Sequence, residues 1–316
     1  MKLRIAVACV VWFASPANAQ ELRIGTAPQG SIGFNIGTAL TKVLAQAEKQ
    51  ASRVQPLAGS SAIIPLVNTG EIDLTVANTL EVQEAIAGWG PYAGRRQANI
   101  RVLAAVFPLH AGVFVKKDSP IRSIADLKGQ RVTYGYTAQL TLNRVLDAIL
   151  ANGGIDSSLI KAAVVPNVTR GADDFVQGKA DAGFFAVGAG KLAEVDKAVG
   201  GIRFLPLLDD PSAIAAMQKI FRYAYVKEVQ PRPAFAGVVG PTKLMAYDYL
   251  VISSTHLKPE VAYRVVKALH QNKDQLAASL AAFRDFDPAA MQKLVPALYH
   301  PGAQKYYKEK GVRLSM

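Results

Sequence analysis

A five-residue pattern that returns after 108 residues constrains this chain more than any other feature. Gly70-Glu71-Ile72-Asp73-Leu74 recurs as Gly178-Lys179-Ala180-Asp181-Ala182. Upstream of each copy lies a strand-like run, a glycine, a polar loop and an amphipathic stretch. In the first copy residues 22–25 lead to Thr26, Gly30 and Ser31; in the second residues 131–135 lead to Thr137. Two similar α/β units built this way face each other across a cleft, with strand-to-helix loops converging on its rim. Such a frame suits a protein that closes around a small solute.

The rest of the patterning agrees with that frame. Ile36, Leu40, Val43, Leu44 and Ala47 recur at helical spacing. An extended run at 53–56 follows, then Gly59-Ser60-Ser61 opens a short helix ending near Gly70. Residues 74–77 form a strand, and Asn78-Thr79 begins a helix through Ala87. This β-α-β-α-β order predicts a mainly parallel sheet flanked by helices in each lobe. Two β-rich runs, 100–107 and 112–116, bracket the expected crossover into the second lobe. Leu142, Val145, Leu146, Ile149 and Leu150 mark a helix ending at Asn152-Gly153-Gly154. Pro231, Pro233 and Pro241 with Gly237 and Gly240 form a breaker-rich stretch suited to the return crossover or a hinge. A strand at 247–253, a helix from Pro259 and a helical tail through His300-Pro301-Gly302 complete the reading. The expected organisation is lobe 1 at 20–107 plus 242–316 and lobe 2 at 108–241, in an α/β fold with hinge crossovers.

Residues 1–19 have the composition of an export signal. Lys2 and Arg4 precede a short apolar core, and Ala17-Asn18-Ala19 is a small-x-small cleavage site. The expected location of the mature chain is therefore the periplasm. Cys9 raises lipid attachment as an alternative, but Ala6 suits that signal poorly. With Cys9 removed no cysteine remains, which excludes structural disulfides and thiolate chemistry. Without Lys2 and Arg4 the formal charge falls from +12 to +10. No dense Lys/Arg run with interleaved aromatics accompanies it, so anionic solutes or an acidic docking surface are expected in place of nucleic acid.

Catalysis finds little support, and no catalytic residue is assigned. His110, His256, His270 and His300 lack metal-ligand spacing, so neither a metal nor a cofactor is expected. No G-x-S-x-G elbow, Walker loop or G-x-G-x-x-G motif occurs, and Ser60-Ser61 has no identifiable base. Polar loops at helix starts are the better candidates, because free N–H groups there receive a carboxylate without a buried cation. The candidate ligand donors are Thr26, Ser31, Ser60, Ser61, Asn78, Thr79, Thr137 and Gln139. Phe34, Tyr136 and Phe185 are candidate walls, and Val187 and Gly188 candidate backbone contacts. Arg144 and Arg170 lie near second-lobe loops, where a solvated surface role is expected.

Together these motifs resemble the solute-binding proteins of tripartite ATP-independent periplasmic (TRAP) transporters, TAXI branch. The likeness spans residues 22–311 and rests on the opening loop from Gly25-Thr26 to Ile36-Gly37, GEIDLTVANT (70–79), SIADLKGQRVTYG (123–135), GKADAGFFAVGAG (178–190) and LYHPGAQKYYKEKGV (298–312). The resemblance implies a two-lobed periplasmic binding protein, type II-like, working as a monomer. Its implied task is to deliver an organic acid or amino acid to an integral membrane TRAP permease. Ile32-Gly33 stands where the branch usually has Thr-Tyr, and Asn78-Thr79-Leu80 replaces Gln-Ser-Asp. The Gly-Ser-Gly-Thr loop after Gly135 is missing. These departures predict a carboxylate ligand with a more apolar body than glutamate. The same fold docked to an ABC importer for a sulfonate, pyrimidine or aromatic acid is the alternative.

Overall fold

The computed structural model describes residues 21–314. The predicted signal segment, its cleavage site and Cys9 lie outside the described residues.

The first lobe opens with β1 (Leu22–Thr26), α1 (Ile32–Glu48), β2 (Ser52–Pro56), α2 (Ser60–Thr69), β3 (Leu74–Asn78) and α3 (Thr79–Ala87). β1 pairs in parallel with β2 and β3, as the alternating pattern predicts. Ile36, Leu40, Val43 and Leu44 are all buried, which turns the apolar face of α1 inward to cover the sheet. β4 (Ile100–Lys116) then leads into the second lobe. There β5 (Arg131–Thr133), α4 (Thr141–Asn152), β6 (Lys161–Ala163), α5 (Val168–Val176), β7 (Gly183–Ala186), α6 (Gly190–Ala198), β8 (Ile202–Phe204), α7 (Pro211–Ile220) and β9 (Tyr225–Val229) follow. β10 (Thr242–Ser254) returns the chain to α8 (Pro259–Gln271), α9 (Lys273–Ser279) and α10 (Pro301–Lys310), and α10 packs on α8.

β4 and β10 join the two lobes. They run antiparallel from Met245↔Ala111 to Ser254↔Ile100, with register shifts after Tyr249 and Val251. One end of the ladder carries β3 on β10; the other carries β7 and β8 on β4 and β9 on β10. This corrects the expectation of two β runs around a break at 108–111. Pro108 pairs with Asp248 inside one continuous strand, and the irregularity is absorbed by bulges beside it. The strand expected at 247–253 likewise begins five residues earlier, at Thr242, because 242–246 pairs with β9. The tail is helical only from Pro301. Residues 281–285 and 288–290 are 3-10 turns, and the His300 ring accepts from Gly302 N–H to cap α10.

The sequence echo has a three-dimensional cause. Gly70 ends α2 in the left-handed region at φ 81°, and Gly178 follows α5 at φ 74°. In the first lobe Arg23 donates to Asp73 at 3.0 Å and to the Gly70 carbonyl at 2.9 Å. In the second lobe Arg131 donates to Asp181 at 3.0 Å and to the Gly178 carbonyl at 2.8 Å. Each aspartate also accepts the backbone N–H of its arginine. The recurring motif is thus a clasp that fixes a helix end to the strand beside it.

Candidate functional site

A cavity of about 60 Å³ lies between the lobes, at the C-terminal ends of β1 and β3, room for only a few water molecules. The first lobe supplies Ser31, Ile32 and Gly33 at the start of α1, Ser60 and Ile63 on α2, and Asn78 and Glu81 at the start of α3. The second supplies Gln139, Leu142, Val168 and Phe184 to Ala186; Leu109, Tyr247 and Tyr249 come from the joining strands. A roomier groove, about 560 Å³, lies at the N-terminal ends of β1 and β3, beside Arg23, Asp73 and His256. The cavity between the lobes has the enclosure and the convergence of elements expected of a solute site.

Its polar floor is built by helix capping. Asn78 accepts from Glu81 N–H and Glu81 accepts from Asn78 N–H, both at 2.9 Å, a reciprocal capping box. Ser60 donates its hydroxyl to the other Glu81 oxygen. Burial raises the Glu81 carboxyl above its ordinary range, against the lowering effect of the bonds from Ser60 and Asn78. Ser31 caps α1 by accepting from Phe34 N–H at 3.1 Å. Gln139 reaches across its loop to accept from Val168 N–H at 2.8 Å, so it caps α5, not the helix it precedes. After these bonds the Asn78 and Gln139 amide N–H groups and the Tyr247 and Tyr249 hydroxyls have no partner among the described residues. Tyr247 is only 1% exposed and Asn78 3%.

Contacts between the lobes close the cavity. Ser61 accepts from Leu140 N–H at 3.2 Å. The Gly30 carbonyl accepts from Lys191 N–H at 3.2 Å. Gly59 sits so close to the 138–139 loop that a Cβ there would lie 2.6 Å from the Ala138 carbonyl oxygen. On α4, Thr141 donates to Glu84 of α3, and Arg144 approaches the same carboxylate at 3.4 Å while stacking over Trp89 at 4.6 Å.

Of the residues singled out from sequence, Ser31, Ser60, Asn78, Gln139 and Phe185 line the cavity. Ser61 stands at the lobe contact. Phe34 lies in an outer groove with Gly30 and Lys191. Thr26 and Thr79 are buried beyond the lining, each with a hydroxyl lacking a partner. Tyr136 packs inside the second lobe with its hydroxyl 3.2 Å from Thr133. Thr137 is exposed, Val187 N–H bonds the His110 carbonyl at 2.8 Å, and Gly188 abuts Phe235. Arg170 pairs with Asp174 at 3.5 Å on its own helix. Sequence reasoning missed Glu81, Glu84, Tyr247 and Tyr249. The Asn78-x-x-Glu81 capping pattern and the period-two Tyr247-x-Tyr249 pair were the available signals. Among the described residues no His/Cys/Asp/Glu group could hold a metal ion, and no helix is long and apolar enough to cross a membrane.

Solved structures share this architecture. The PhnD1 protein from Prochlorococcus marinus, in complex with methylphosphonate, is 14% identical, with 94% of this chain and 100% of that one covered at TM-score 0.56. The alkanesulfonate-binding protein SsuA from Xanthomonas axonopodis pv. citri, bound to MOPS, is 17% identical over 93% and 94% at 0.54. The amino acid ABC transporter substrate-binding protein AbpA from Streptococcus pneumoniae, bound to L-arginine, is 12% identical over 84% and 95% at 0.52. The fold is that of two-lobed periplasmic solute-binding proteins. The model of the NMT1-like family matches residues 24–311, nearly the whole described chain, and the protein belongs to that family.

Proposed function

We propose that this chain is a periplasmic solute receptor that closes two lobes over one small organic molecule and hands it, chemically unaltered, to a membrane importer. The observation that carries the reading is one cavity lined by both lobes and bridged by contacts from both; at about 60 Å³ it is smaller than an organic ligand, so the lobes must part to admit one and rest further apart around it. The lobes are 20–107 plus 242–316 and 108–241, with 242–246 lent to the second lobe's sheet and the hinge in β4 and β10. The ligand is a small carboxylate or amino acid with an apolar body. Its carboxylate meets the N–H groups of Ile32 and Gly33 at the start of α1, and its body meets Ile63, Leu142 and Phe185. Ser31, Ser60, Asn78 and Gln139 orient it, and the receptor acts as a monomer without a cofactor.

The importer we favour is of the ABC type, because the arginine-bound structural relative carries that description in its name. A TRAP permease is the second reading, favoured by the opening-loop, 70–79, 178–190 and 298–312 motifs. Native mass spectrometry of the purified protein tests the capture step: one small molecule should leave unaltered, and small-angle scattering should show expansion when it is removed. A chemically converted product would overturn the reading. Reconstitution with candidate permeases of each type decides the importer, since uptake that needs ATP supports the first and uptake driven by an ion gradient the second.

A further inference from the structure

Among the described residues, the cavity is lined by a carboxylate and no cation. Glu81 lines it and is 4% exposed, and no lysine, arginine or histidine is among the lining residues. The nearest buried ionisable neighbour on the same helix, Glu84, is another acid, and its approaching cation is Arg144, outside the cavity. Tyr247 and Tyr249 stand close enough for Glu81 to raise both phenols further, after burial has done so. A ligand whose only charge is a carboxylate, sulfonate or phosphonate would add negative charge to this space with no counter-ion. An amino acid, the second of the two proposed ligand classes, brings its own ammonium. A buried carboxylate without a positive partner is strongly disfavoured, and a ligand that brings the partner relieves it.

We propose that Glu81 is the specificity-determining residue of the cleft, receiving a cationic nitrogen or strong N–H donor of the ligand and rejecting sulfonates and phosphonates. The Tyr247 hydroxyl, which has no partner among the described residues, completes the polar corner. Ser60 and the Asn78 N–H hold the carboxylate in place from below. The assignment rests on the receptor reading and names the chemistry that reading leaves open.

Isothermal titration of the full mature chain with benzylamine, benzoate, benzenesulfonate and methylphosphonate tests it, the first three sharing one apolar body. Benzylamine should bind at least about tenfold more tightly than benzoate, benzenesulfonate or methylphosphonate, by the usual worth of one charge-assisted bond. Glu81→Gln, which preserves the capping acceptor toward Asn78, should lose that preference while its melting temperature without ligand stays close to that of the wild type. Tighter binding of benzoate, benzenesulfonate or methylphosphonate by the wild type would overturn the assignment while leaving the receptor reading intact. So would an unchanged preference in Glu81→Gln. A wild-type protein that binds none of the probes and yields no co-purified small molecule would overturn both.

Discussion

Glu84 of α3 and Thr141 of α4 meet across the cleft, the hydroxyl donating to the carboxylate at 2.5 Å, with the Glu84 side chain fully shielded from solvent. Burial pushes the Glu84 carboxyl up to about 7, against the lowering effects of Thr141 and Arg144. The folded protein therefore retains a proton that the unfolded chain releases near the ordinary value of 4.5. The stability Glu84 contributes is full below that value and is lost as pH rises through about 7. Glu84→Gln should accordingly gain in melting temperature relative to wild type as pH rises from about 5 to 8. His110, buried and lowered to about 4, slopes the other way in both proteins and cancels in the difference. A difference that is flat with pH would refute the assignment.

Arg144 makes the other half of this latch. Arg144→Ala removes both its approach to Glu84 and its stacking over Trp89. We expect ligand affinity to fall about tenfold at pH 8 and by less at pH 5, where Glu84 is neutral. Titration calorimetry at the two pH values measures this directly.

Gly59 separates closure from folding. Its φ of 171° is open to any residue, but a Cβ would meet Gln139 at 2.5 Å and the Ala138 carbonyl at 2.6 Å, both on the opposite lobe. Gly59→Ala should melt near the wild-type temperature yet bind ligand at least about tenfold more weakly, since the lobes cannot seat. Small-angle scattering with saturating ligand should find it more extended than the wild type. Equal compaction of the two would count against the closing motion.

Tyr247 lines the cavity, and its hydroxyl has no partner among the described residues. Tyr247→Phe keeps the ring against Phe221, 5.1 Å away, and removes the hydroxyl proposed to bond the ligand. Affinity should fall roughly 3- to 10-fold, in line with one neutral hydrogen bond, with thermal stability unchanged.

The repeated clasp predicts unequal effects. The Arg23 side chain is 30% exposed and its Asp73 partner 12%, against 48% and 32% for Arg131 and Asp181. Arg23→Ala should cost roughly 1 kcal/mol after allowance for solvent screening. Arg131→Ala should lower the melting temperature less. Thermal denaturation of the two single variants, with ligand absent, gives the ordering.

Much of the frame was legible in the order of residues. The 108-residue echo, the apolar spacing of α1 and the caps at Ser31 and Asn78 act through neighbours a few positions away, so local physics exposes them. The cavity membership of Ser31, Ser60 and Asn78 followed from the same logic, because helix starts gather at strand ends. Thr137 and Tyr136 were misplaced relative to the cavity because the short loop after Gly135 turns one hydroxyl outward and the other ring into the lobe.

By itself, then, the chain's order of residues specified two α/β halves, their helix starts and their glycine-terminated turns, since each depends on torsion preferences and nearby hydrogen bonds. Only the tertiary structure decided that Glu81 would stand in a cavity with no cation among its described lining residues, and that Glu84 would face Thr141 across 57 positions of sequence. Those relationships join residues far apart in sequence, brought together by the long β4–β10 ladder, so no local stretch encodes them.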